Sequence, residues 1–134
     1  MAAGAGRKVI PMIGTVKVSG SDSSGSFELI EYVGPAVPPP HIHRQREEAF
    51  YVLEGMFRFI LGAVEFEAGP GSLVHVPRGT RHGFTTGPSA RALLFVAPAG
   101  LEGFFEELGE GLAAGRSGAE LRAALSGRFD SEPA

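Results

Sequence analysis

His41 and His43 stand one residue apart at the end of a proline-rich stretch, with Glu48 a little further on and His82 far downstream. Side chains of an extended strand alternate with period two, so the two imidazoles would leave one face and aim at one point. Glu48 heads the run Ala49 to Gly55 and His82 follows Pro77-Arg78-Gly79, which puts all four residues where strands meet turns. Imidazole suits zinc, copper, iron and nickel, and a carboxylate added to three imidazoles gives a mixed set that manganese or iron also accepts. Such a set would leave one or two positions open on a six-coordinate ion, as uptake of substrate or dioxygen requires. The chain has no cysteine, so thiolate ligands, disulfides and cysteine nucleophiles are excluded. A His-x-His pair alone does not define a metal site; the elements around it must carry the case.

Twenty glycines and ten prolines among 134 residues fall mostly between short apolar runs, which predicts many short strands joined by turns. Val9 to Val18 reads as one or two strands broken at Pro11 and Gly14. In the next strand Phe27, Leu29, Glu31 and Val33 share a face, with Glu31 read as a charge near a strand end or sheet edge. Three consecutive prolines cannot donate to a sheet ladder, so Gly34 to Pro40 must run along an edge or outside the sheet before delivering His41. Arg44 to Glu47 is a turn, and the strand that follows places Glu48, Phe50 and Val52 on one face. Met56 to Leu61 and Val64 to Glu67 form a hairpin around Gly62-Ala63, and Ser72 to Val76 and Ala90 to Ala97 are further strands. Leu101, Phe104, Phe105, Leu108 and Leu112 then recur at helical spacing, and Ser117 to Glu120 has the spacing of a capping box before a second short helix. The expectation is one domain over 1–134: a mobile tail at 1–8, an all-β antiparallel barrel over about 9–98, and helices over about 100–127.

A formal charge of -3, with basic residues scattered along the chain, calls for neither nucleic acid nor an anionic membrane as partner. The opening residues lack the apolar core of a signal peptide, and the most apolar run, Ala92 to Leu101, is too short to span a bilayer. A soluble, cytoplasmic protein is the expectation.

The pattern His41-Ile42-His43, four residues, Glu48, six residues, Gly55, and then Gly71, five residues, Pro77-x-Gly79, two residues, His82 resembles the two signature motifs of the cupin superfamily. The resemblance is close from Gly34 to Thr86, and within the superfamily the chain looks most like small single-domain bacterial cupins, some quercetin dioxygenase-like. Two departures are visible: six residues separate Gly34 from His41 where five are usual, and Thr86 stands where the second motif usually ends in Asn. The resemblance implies an antiparallel jelly-roll β-barrel with a divalent metal ion (Fe, Mn, Ni or Zn) at its centre, held by His41, His43, Glu48 and His82. It also implies a homodimer, for which Tyr51, Leu53 and Ile60 are candidate outward apolar residues.

On that resemblance, the expected activity is an oxygen-dependent dioxygenase acting on a small hydroxylated, enolisable aromatic molecule. Glu48 would be both a ligand and the catalytic proton acceptor. Phe50, Phe57, Phe59, Phe84 and Phe95 are candidates for an apolar pocket wall. A non-enzymatic small-ligand-binding cupin is the alternative, as is a sugar isomerase or epimerase, which would need inward basic residues for a phosphate. Arg58, Arg81 and Arg91 are the candidates for that, each read as solvated, and His75 is read as a hydrogen-bonded strand residue outside the ligand set.

Overall fold

The computed structural model describes residues 1–2 and 4–134. In chain order its elements are β1 (Lys8–Ile10), β2 (Gly14–Val18), β3 (Glu28–Val33), β4 (His41–Ile42), β5 (Glu47–Glu54), β6 (Phe57–Leu61), β7 (Val64–Ala68), β8 (Leu73–Val76), β9 (His82–Thr86), β10 (Arg91–Ala97), α1 (Glu102–Ala113), α2 (Gly118–Leu125) and β11 (Glu132–Pro133). Among the described residues the strands make two antiparallel sheets, one in the order β1-β2-β3-β10-β5-β8 and the other β11-β4-β9-β6-β7. Strands distant in sequence thus lie side by side, as in a jelly roll.

Period-two alternation decides which side chains meet between the sheets. Glu48, Phe50 and Val52 of β5 are buried while Tyr51 is exposed, and Val74 and Val76 of β8 are buried while Leu73 and His75 are not. The aromatic core joins the two layers: Phe50 meets Phe59 at 5.2 Å and Phe84 at 5.3 Å, and Tyr32 meets Phe84 edge-on at 5.5 Å.

β3 turns the other way from the apolar face marked out by its sequence. Ile30 and Tyr32 enter the core, whereas Phe27, Leu29, Glu31 and Val33 lie on the opposite side, where Phe27 stacks on Phe95 at 5.2 Å. Phe95 is 38% exposed and is no part of a pocket wall. Nor is Glu31 at a sheet edge, because β3 lies between β2 and β10. It is buried beneath Arg91 at 2.8 Å, Lys17 at 3.3 Å and the Gly4 N–H at 2.8 Å. Burial alone would raise its pKa, but these partners outweigh it and lower the pKa.

Glu28, on the core-facing side of β3, ties the helices to the barrel. The N-terminus of α1 has no side-chain cap of its own; instead Glu28 accepts the N–H groups of Gly100 at 3.1 Å and Leu101 at 2.5 Å. Burial raises the Glu28 pKa, and these backbone donors oppose the shift. A carboxyl whose folded pKa lies above its unfolded value favours the folded state in its protonated form. Its contribution is therefore complete below the unfolded pKa and fades as pH rises through the raised folded one. Glu28→Ala, which orphans two N–H groups, is expected to destabilise by about 1–3 kcal/mol in urea unfolding. Glu28→Gln, which keeps an acceptor, is expected to cost less and to flatten the pH dependence around the carboxyl range; equal losses for both variants would rule out the capping role.

Candidate metal centre

The four residues singled out by spacing come together in the barrel. His41, His43, Glu48 and His82 are all buried, and each offers a ligand atom lying within 4.8 Å of the others, so the group could hold a metal ion. Their elements explain the convergence. His41 on β4 is directly opposite His82 on β9 in the strand register, and Glu48 reaches in from β5 of the facing sheet. Gly79, at φ 77°, makes the left-handed turn ahead of His82 and donates its N–H to the His43 carbonyl at 2.8 Å. That bond adds to the β4–β9 pairing in joining the two motifs. At Gly83 a side chain would strike the Pro38 carbonyl at 2.9 Å, so glycine lets the proline strap lie against β9 beside the histidines.

Each imidazole is oriented by its far nitrogen. Nδ1 of His41 donates to the Pro39 carbonyl at 2.7 Å, that of His43 to the Asp130 carbonyl at 2.8 Å, and that of His82 to the Thr80 carbonyl at 2.9 Å. A carbonyl only accepts, so all three rings carry the Nδ1 proton, which leaves Nε2 as the atom each can offer a cation. The ring centroids are 4.3–5.1 Å apart. Nε2 of His82 is 2.9 Å from Glu48 Oε1. Nε2 of His43 lies 3.3 Å from the same oxygen, yet makes no hydrogen bond to any described residue. A buried imidazole nitrogen without a partner fits a donor set completed by a cation.

The electrostatics suit such a cation. Burial and the neighbouring His82 hold the His41 pKa well below the ordinary imidazole value. At His43 burial also lowers the pKa, but the Glu48 charge outweighs it and the net shift is upward. For Glu48 burial raises the pKa, and His43 and His82 outweigh it and hold the carboxyl well below its usual range. A carboxylate kept ionised in a buried place is what a metal ligand requires. The set of imidazole and carboxylate therefore fits a divalent first-row ion.

Above the four donors is a chamber of about 10 Å³, walled by Tyr32, Phe50, Phe84 and Phe104. Of the expected wall residues, Phe50 and Phe84 are here, while Phe57 and Phe59 are buried deeper in the core. Tyr32 is pushed up to about 12 by burial and stays a neutral phenol. Arg58 and Arg91 are on the outside, bound to Glu65 and to Glu31 with Glu54, and Arg81 is exposed. His75 is exposed and bonded to Glu47 at 2.9 Å, outside the donor group.

Two residues at the site carry no sequence motif. Arg122 of α2 lines the chamber, and the Asp130 carbonyl orients His43. The only hint of the first is a cation next to the buried stripe Leu121 and Leu125; the second has none.

A family model described as "Cupin domain" matches residues 29–97. The polyketide cyclase RemF from Streptomyces resistomycificus is similar in structure, with 34% identity, 66% of this chain and 68% of that one covered, and a TM-score of 0.52. Streptomyces PAC13 with uridine is 25% identical, with 59% of this chain and 65% of that one covered and a TM-score of 0.53. Among curated proteins, "Oxidoreductase iacF" of Pestalotiopsis fici is 39% identical over 62 residues, which are 45% of this chain and 30% of the relative. The likeness thus reaches less than a third of that relative's length. Among the described residues no helix is long and apolar enough to cross a membrane.

Proposed function

Since this chain belongs to the cupin family, we propose that it is a metal-dependent enzyme in which His41, His43, Glu48 and His82 hold a divalent iron, manganese, nickel or zinc ion. Its substrate is a small hydroxylated, enolisable aromatic molecule, and its reaction a dioxygenation. The observation that supports this reading is the common orientation of the three imidazoles, each Nδ1 given to a carbonyl, with one ligand atom from each ring and from Glu48 gathered within 4.8 Å.

A bound ion supplies Lewis acidity toward a substrate oxygen and, if redox-active, a route to dioxygen. The chain supplies the rest. Phe50 and Phe84 wall the chamber beside the donors, which at about 10 Å³ takes only the oxygen-bearing edge of a substrate, and they keep bulk water from it. Glu48, the one carboxylate among the four donors, accepts the proton that leaves the substrate hydroxyl. Tyr32 keeps its phenolic proton and serves as a neutral donor from the wall.

The test is oxygen consumption by protein loaded in turn with iron, manganese and nickel, using flavonols and catechols as substrates. Stoichiometric uptake is expected with one of the metals, and Glu48→Gln is expected to slow it by roughly 10²–10⁴-fold. No uptake with any metal would remove the dioxygenase reading. The 34% identity to a polyketide cyclase favours a second reading, in which the same residues activate an enolisable substrate without oxidation. Substrate consumed equally fast without oxygen would select it.

A further inference from the structure

We propose that Arg122 is the recognition residue for an anionic oxygen, a carboxylate or enolate, on a small ligand whose apolar cyclic body lies between the proline strap and α1. The proposal deepens the metal-dependent reading above and rests on it for the ligand's second anchor.

Arg122 is delivered by α2, whose rotation is fixed by the burial of Leu121 and Leu125. Its guanidinium carbon is 5.5 Å from the centre of the Phe104 ring. Its Nη1 is buried and has no hydrogen-bond partner among the described residues. Guanidinium is charged under all ordinary conditions and can only donate, so an unpaired buried N–H is costly and calls for an acceptor. The nearby buried acid does not supply one: Glu48 directs Oε1 to His82 at 2.9 Å and makes no hydrogen bond to Arg122.

Position points the same way. Arg122 borders the inner chamber above the metal donors and also two outer cavities of about 400 and 420 Å³ on either side of it. The inner chamber, at about 10 Å³, has room for about one water-sized group, such as a single ligand oxygen. The first outer cavity has room for the body, and its walls include Ile13, Pro35, Val37, Leu108 and Leu112. Charge completes the case. With a divalent ion held by the four donors, that ion and Arg122 would face only one carboxylate lining the chamber, Glu48, and the surplus positive charge favours an anion. A single guanidinium, with no other Lys or Arg lining these cavities among the described residues, suits a carboxylate or enolate better than a phosphate.

The test is calorimetric titration of metal-loaded protein with 2-naphthoate and with its neutral counterpart 2-naphthamide. Wild-type protein is expected to prefer the carboxylate by about tenfold or more. Arg122→Gln is expected to abolish the preference, with a much larger loss of affinity for naphthoate than for naphthamide and with metal content unchanged, and Arg122→Lys, which keeps the charge, to retain part of it. Thermal melts establish that each variant is folded. Absence of carboxylate preference in the wild type, or its survival in Arg122→Gln, overturns the proposal. Metal content is measured separately. A chain that binds no metal but keeps an Arg122-dependent preference for naphthoate would refute the metal reading and leave Arg122 as the anion site.

Discussion

His82→Ala is expected to purify without stoichiometric metal, where the wild-type chain, prepared without a His-tag, carries about one ion. His82 is fully buried, faces His41 across the strand pair, and its Nε2 touches the carboxylate that completes the donor group. Loss of an orienting partner already weakens metal sites by about 10–100-fold, so loss of a ligand is expected to cost at least the upper end of that range. The effect extends to stability. An ion bound to the folded chain alone adds about 2.7 kcal/mol when its concentration is 100 times its Kd. Chelation is therefore expected to lower the wild-type Tm by on the order of 10 °C and to leave the variant's Tm almost unchanged. His75→Ala is the control, since that ring is exposed and bonded only to Glu47 among the described residues. Full metal occupancy in His82→Ala would sink the site.

The grouping of His41, His43, Glu48 and His82 was legible because their placement is marked locally. Each is fixed by a turn or a strand start close to it in the chain, and glycine and proline mark those places in the sequence. Alternation likewise gave the partition of side chains along β5 and β8. It could not say which of two faces turns inward. On β3 both faces carry apolar residues, and the outcome depends on β10 and β2, which cover Phe27 and Glu31 from elsewhere in the chain. Arg122 and Asp130 escaped for a related reason. Their relation to the site is created wholly by the path of the chain after β10, which brings α2 over the chamber and pairs β11 with β4. A two-residue strand containing proline leaves no periodic trace.

That return path makes Asp130→Ala the second variant with a large expected effect. Asp130 has φ 58°, a left-handed conformation that Asp and Asn tolerate better than Ala. Its carboxylate accepts the N–H groups of Arg44 and Gln45, each at 2.9 Å, and the Arg46 guanidinium at 3.1 Å. Arg46 in turn donates to the Ala99 carbonyl at 3.2 Å, so one side chain links the turn after His43, the approach to α1 and the returning tail. Held this way, the Asp130 carbonyl receives the His43 Nδ1 proton. Alanine removes three interactions and adds backbone strain, for an expected loss of about 2–4 kcal/mol in urea unfolding. Metal affinity is expected to fall by about 10–100-fold because His43 loses its fixed orientation. Asp130→Gly separates the contributions, since glycine adopts the same φ without strain but has no carboxylate. It is expected to recover part of the stability and little of the affinity, whereas Asp130→Asn, with one acceptor oxygen, is expected to recover part of both. Unchanged metal affinity in both the Ala and Gly variants would mean that the tail merely covers the barrel, and that His43 is held by the strand pair alone.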